Sequence, residues 1–117
     1  MKSLTMHHVT ESDKQISVTA VGDRTKGNTY PIYLIEYPNH PTTRTDFQTG
    51  LPSEGINGLT NEILLSIVAD RLRDFQAGPY PCDENEMALS NVLNAMNFLQ
   101  SRTRSRIMRG VEGKLVK

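Results

Sequence analysis

The sequence predicts an α+β fold: a small N-terminal antiparallel β-sheet followed by a C-terminal αα-hairpin with a long second helix. Three observations predict it. Turn formers and β-branched residues concentrate before Asn57. After it, apolar residues recur at spacings of three and four. The last helical pattern then runs from Asp83 to Arg109 with no proline or glycine to break it. With 117 residues, 37% hydrophobic and 22% charged, the chain holds material for one domain, 1–117, and its composition is not that of a disordered chain.

Met1 to Asp13 is polar and is expected to be a loose tail, with a flexible segment over 1–14 and the β portion over 15–56. In Gln15 to Val21, Ile16, Val18 and Ala20 alternate with Ser17 and Thr19, the period-2 signature of a half-buried strand. A turn-rich stretch, Gly22 to Asn28, separates it from a second strand, Tyr30 to Tyr37. Pro31 belongs at the start or on an edge of that strand because it has no N–H to donate. Asn39, His40 and Pro41 mark the next turn, and Thr42 to Gln48 supplies a third, weaker strand closed by Gly50 and Pro52. The three make an antiparallel meander.

The hairpin and its tail occupy 57–117. Thr60 can cap a first helix, with Glu62 favourably placed in its opening turn. Ile63, Leu64, Ile67, Val68, Leu72 and Phe75 form its apolar pattern, and Gly78-Pro79 stops it. The second helix, about Asp83 to Arg109 with Gly110 to end it, would be ~40 Å long at ~1.5 Å per residue. A compact domain of this size is only ~35 Å across. One stripe, Leu89, Val92, Leu93, Met96, Leu99, Thr103 and Ile107, can pack on the first helix. Met87, Ala88, Asn91, Ala95 and Phe98 lie on another face. A helix with two apolar surfaces and one intrachain partner points to a second copy of the chain; cover by the β portion is the alternative.

Several function classes are disfavoured. Thirteen basic and thirteen acidic residues cancel, which removes the electrostatic case for duplex nucleic acid. Cys82 is the single cysteine, so neither an intrachain disulfide nor a multi-cysteine zinc site can form, and a reducing cytosol fits best. No apolar run reaches the roughly 18 residues of a spanning helix, and Met1 to Ser12 has no apolar core of a signal peptide. The expectation is therefore a soluble protein with no membrane partner. GxSxG, P-loop and HExxH motifs are absent, and Cys82 has no evident His and Asn/Asp partners. His7, His8 and His40 fall in a tail and a turn and read as solvent-exposed residues rather than ligands. Asp83, Glu84 and Glu86 could be imagined as acid/base groups, but their simpler role is to complement the positive end of the second helix. No catalytic residue, metal site or cofactor is expected, and the chain does not read as an enzyme.

Neutrality hides a dipole. From Thr60 to Glu86 there are two basic and six acidic residues, and from Met87 to Lys117 six basic and one acidic. Arg102, Arg106 and Arg109 fall within about 60° of one another on an ideal helix, and three guanidinium forks on one face suit phosphate. A solvated cationic helix end, favoured by the macrodipole, accounts for the spacing equally well. The second feature is the corner Phe75-Gln76-Ala77-Gly78-Pro79-Tyr80-Pro81-Cys82-Asp83-Glu84-Asn85, where an aromatic and an amide could receive a nucleobase. Phe75 also suits a core position, and the two roles are compatible. Asn85 and Arg102 stand seventeen residues apart on one helix, ~26 Å along its axis, too far for one nucleotide. If they act together, a second chain must run antiparallel.

The residues Asn61-Glu62 with Ile63 to Leu72, then Phe75-Gln76-Ala77-Gly78-Pro79, Cys82, Glu84-Asn85, Arg102-Thr103, Arg106 and Arg109-Gly110-Val111-Glu112-Gly113 resemble the helical hairpin of the phage nucleotide sponges. That family comprises the first-described Thoeris anti-defence proteins and their shorter anti-CBASS relatives. The resemblance covers about Gly55 to Gly113. The preceding GNTYPIYLIEY and DFQTG are similar to the Thoeris-type member, since the anti-CBASS relatives are mostly helical. The resemblance implies a non-catalytic protein, acting in the host bacterial cytoplasm, that sequesters a cyclic nucleotide immune signal, here a glycocyclic ADP-ribose. It implies a pocket lined by Phe75 and Asn85 with Arg102 and Arg106 of a partner chain, to which Gln76, Gly78, Pro79, Leu89 and Arg109 are added as ligand-binding candidates. It also implies homodimers that can build into hexamers, and cyclic oligonucleotides at a second site in some members. Two positions depart from the pattern: Asp83 stands where relatives usually have Arg, and Val92-Leu93-Asn94-Ala95 where they often have Leu-Glu-Glu-Ala. The first bears on ligand choice. The alternatives are a sponge for cyclic oligonucleotides of CBASS-type defence, an enzyme degrading such signals, and a hairpin adaptor whose arginines meet an acidic protein.

Overall fold

The computed structural model describes residues 1–110, so Val111, Glu112 and Gly113 of the quoted motif and the C-terminal tail lie outside the described residues. The chain divides into two compact units, Met1–Leu59 and Thr60–Lys117. The division falls close to the change of composition at Asn57.

The first unit is a four-stranded antiparallel sheet, β1 (Lys2–Leu4), β2 (Ser17–Val21), β3 (Ile32–Glu36) and β4 (Thr43–Asp46), in that spatial order. The meander of the last three strands is as expected. The loose tail is not: Lys2–Leu4 pairs with β2, setting Lys2 opposite Ala20 and Leu4 opposite Val18. An apolar cross-strand pair and an otherwise open edge of β2 give even a three-residue polar segment a place in the ladder. The connection behind it is also tied down. Thr10 and Val9 donate backbone N–H groups to the Asp13 carboxylate at 3.0 and 3.3 Å, and these bonds hold its pKa below the ordinary carboxylate value. His7 and His8 are half-buried rather than exposed, and the His7 ring lies 2.7 Å from the Ile16 carbonyl.

The register places Leu4, Val18, Ala20, Tyr33 and Ile35 on one face. Ala20 is fully buried there, and the Tyr33 ring meets Phe47 edge to face at 5.4 Å. β3 is shorter than its apolar run because Pro31 cannot enter the ladder. Beyond β4 the chain leaves and returns: Leu59 donates to the Asp46 carbonyl at 2.8 Å and Gln48 to the Leu59 carbonyl at 2.9 Å. Gly58 sits in this crossing because a Cβ there would lie inside the Phe47 carbonyl.

The second unit holds α1 (Asn61–Ala77) and α2 (Asp83–Met108), which pack on each other. Thr60 caps α1, accepting the Ile63 N–H at 3.4 Å. α2 ends where Gly110 takes a positive φ of 70° and donates to the Ile107 carbonyl. Ala69 and Leu89 are buried, with Leu72, Val92, Leu93, Met96 and Leu99 half-buried around them. Ile107, expected in this stripe, is exposed. With 17 residues in α1 against 26 in α2, the end of α2 runs past its partner.

Candidate functional site

The corner between α1 and α2 is held by one side chain. The Gln76 amide donates to the Cys82 carbonyl at 3.0 Å and to the Glu86 carboxylate at 3.3 Å, and its oxygen accepts the Cys82 N–H at 3.0 Å. Cys82 is the N-cap of α2 and makes no side-chain cap, while Gln76, reaching across from α1, bonds the cap residue's own backbone N–H and carbonyl. Both ends of the Gln76 amide are thus engaged within the chain. These bonds fix the loop.

With the loop fixed, Phe75, Gly78 and Pro79 line a cavity of about 320 Å³ together with Arg71, Asp74 and Tyr80. Phe75 is half exposed, and Tyr80 is 80% exposed. Two partly exposed rings thus line one cavity, which suits stacking of a planar group. Sequence reasoning missed Arg71 and Asp74. Arg71 stands one turn before Phe75 on α1, a spacing that exposed charged residues share whether or not a cavity opens beside them.

The remaining candidates are placed elsewhere. Asn85 is half-buried in the first turn of α2, and Leu89 is buried one turn further on. Arg102 and Arg109 are exposed and Arg106 half-buried near the far end of α2. The single chain does not bring these arginines to the corner. On an ideal helix Arg102 and Arg109 do share a side with Met87, Asn91 and Phe98. Met87 and Phe98 are 67% and 75% exposed. Whatever covers that apolar side therefore also meets guanidinium groups.

Another cavity, about 370 Å³, lies in the first unit, lined by the loop from Thr49 to Asn57. Its amides are engaged within the loop: Asn57 donates to the Thr49 carbonyl and accepts the Thr49 N–H, both at 2.8 Å, and Gln48 donates to the Gly55 carbonyl at 3.1 Å. Among the described residues no group of three or more His, Cys, Asp or Glu is arranged to hold a metal ion, and no helix is long and apolar enough to cross a membrane.

The family described as Acb2/Tad1, hairpin domain, matches residues 39–104. The matched span takes in the corner, Asn85 and Arg102 and stops short of Arg106. The chain is also 38% identical over 88 residues to a protein named Thoeris anti-defense 1 from Bacillus phage SBSphiJ7. That alignment covers 74% of this chain and 61% of the relative, so the chain spans about three fifths of the relative's length.

Proposed function

The chain belongs to the Acb2/Tad1 hairpin-domain family, and from that premise we propose that it is a phage anti-defence protein acting in the host bacterial cytoplasm, where it binds and sequesters a glycocyclic ADP-ribose signal without cleaving it. The observation that carries this reading is the Phe75 corner: an open aromatic face lining a cavity at a loop fixed by Gln76. A base stacks on such a face, and permanent guanidinium charges hold a pyrophosphate. The Thoeris-type name of the similar phage protein supports the choice of ligand.

The arginines come from a partner chain in this reading. Asn85 and Arg102 are ~26 Å apart along α2, so a complete pocket needs an antiparallel second copy that brings its Arg102 and Arg106 beside the first chain's Phe75 and Asn85. The acidic first turn of α2, Asp83, Glu84 and Glu86, would then lie near the basic end of the partner helix.

Two measurements test the proposal. Protein incubated with the linkage isomers of glycocyclic ADP-ribose, then denatured, should return the bound isomer intact; a converted product would make the chain an enzyme. Asn85→Ala protein mixed in equal amount with Arg102→Ala/Arg106→Ala protein, after random subunit exchange, should recover wild-type affinity in about a quarter of all pockets. Calorimetry that counts no high-affinity sites in the exchanged mixture rules out the shared pocket.

A further inference from the structure

Arg71 and Asp74 both line the corner cavity and stand three residues apart on α1. Side chains at that spacing are neighbours, with Cβ atoms roughly 5–6 Å apart, and an arginine and an aspartate so placed commonly pair. These two do not: the ion pairs among the described residues are Lys14 with Glu11 and Arg44 with Asp46. An exposed guanidinium and an exposed carboxylate, neither in an ion pair, therefore line the cavity with Phe75.

We infer that Arg71 and Asp74 read the ribose phosphate of the ligand, Arg71 donating to a phosphate oxygen and Asp74 accepting from a ribose hydroxyl. The inference deepens the proposed function and rests on it. The chemistry separates the two roles. A guanidinium fork matches a phosphate, and a carboxylate, which only accepts, requires a donor. A ribose phosphate offers both groups within a short span, and a glycocyclic ADP-ribose keeps free hydroxyls on its riboses. With the base on Phe75, the pair fixes which way round the ligand lies: its phosphate is drawn to Arg71 and turned away from Asp74 by like charge. The corner then contributes phosphate recognition from the same chain as the stacking ring, in addition to the partner's arginines.

Calorimetry with glycocyclic ADP-ribose tests this on the full chain, using Phe75→Ala as the reference for loss of the pocket. Arg71→Ala should weaken binding roughly tenfold or more and flatten the dependence of affinity on salt, which a merely structural arginine would not do. Asp74→Ala should weaken binding roughly tenfold, and Asp74→Asn less, because an amide oxygen still accepts a hydroxyl. Melting temperatures of all three should match the wild type. Wild-type affinity in Arg71→Ala and Asp74→Ala, with Phe75→Ala inactive, overturns the inference and leaves the proposed function standing. Tighter binding by Asp74→Ala overturns the hydroxyl assignment. A wild-type protein that binds none of the isomers overturns the proposed function, and the inference with it.

Discussion

The two units treat their apolar residues in opposite ways. In the sheet unit the large exposed hydrophobics sit outside the strands: Met1, Met6, Val9, Tyr37 and Ile56 belong to connections and ends. In the hairpin all but the loop residue Tyr80 sit within the helices: Ile63, Ile67, Val68, Phe75, Met87, Phe98, Ile107 and Met108 are all helical and all at least 42% exposed. Scattered apolar residues in loops are ordinary surface, whereas ordered apolar faces on rigid helices are surfaces made for contact. The sheet unit spends its apolar residues on its own face, around Ala20. The hairpin buries one stripe and holds a second in reserve, with its arginines alongside.

The largest effect should come from placing a charge on the reserved face. Phe98→Asp should abolish self-association and, with it, nucleotide binding, because an unpaired carboxylate buried in an apolar contact costs more than the contact supplies. Val9→Asp, a comparable change at an exposed apolar residue of the sheet unit, should leave both untouched. Sedimentation at micromolar concentration checks the pair. A Phe98→Asp protein that sediments and binds like the wild type would show that the exposed face takes no part.

The next effect is smaller and selective. Arg102→Ala should weaken binding about ten- to a hundredfold, the worth of a charge-assisted hydrogen bond of roughly 1.5–3 kcal/mol, while the melting temperature of the free protein stays put. A melting temperature that falls at unchanged affinity would make Arg102 a helix-end stabiliser.

How much of this was legible in the sequence follows the same division. Period-2 alternation in Gln15 to Val21 and the three-and-four spacing after Thr60 fixed the strands and helices because both reflect one-sided burial of a regular element. β1 was hidden, since Lys2–Leu4 is too short to carry a period and is ordered by its partner strand. Phe75, Gly78 and Pro79 were legible as a corner, and the structure gathers them at one cavity. Arg71 and Asp74 were not, because a charged residue on an exposed helix turn looks the same in sequence whether or not a cavity opens beside it. Gln76 was read as a ligand candidate, and its bonds to Cys82 depend on the loop path, which local pattern does not specify.

That loop path gives a third prediction. Gln76→Ala removes both bonds to the Cys82 backbone and should cost about 1–3 kcal/mol of hairpin stability, with a matching loosening of the corner that lowers affinity as well. Gln76→Glu keeps the acceptor but loses the donor to the Cys82 carbonyl and sets a second carboxylate beside Glu86, so it should be no better than alanine. Thermal melts with and without nucleotide check both. Affinity lost without any loss of stability would return Gln76 to the ligand.

The smallest effect belongs to the sheet unit and to acid. At β4, the Arg44 guanidinium donates to both oxygens of Asp46 at 2.9 to 3.2 Å, and these bonds hold the Asp46 carboxyl below its ordinary pKa. A carboxyl that is more acidic in the folded chain than in the unfolded one stabilises the fold while it is ionised. The contribution is whole above the unfolded carboxylate value, near 4, and disappears as the pH falls through the lower folded value. Both side chains are solvent-accessible, so water screens the pair and the effect is slight. Asp46→Asn should therefore lower the melting temperature a little at about pH 7 and not at all once the pH is below the lowered folded value, where the wild-type carboxyl is protonated too. A difference between the two proteins that stays constant across this range would mean that Asp46 acts through strand geometry rather than through its charge.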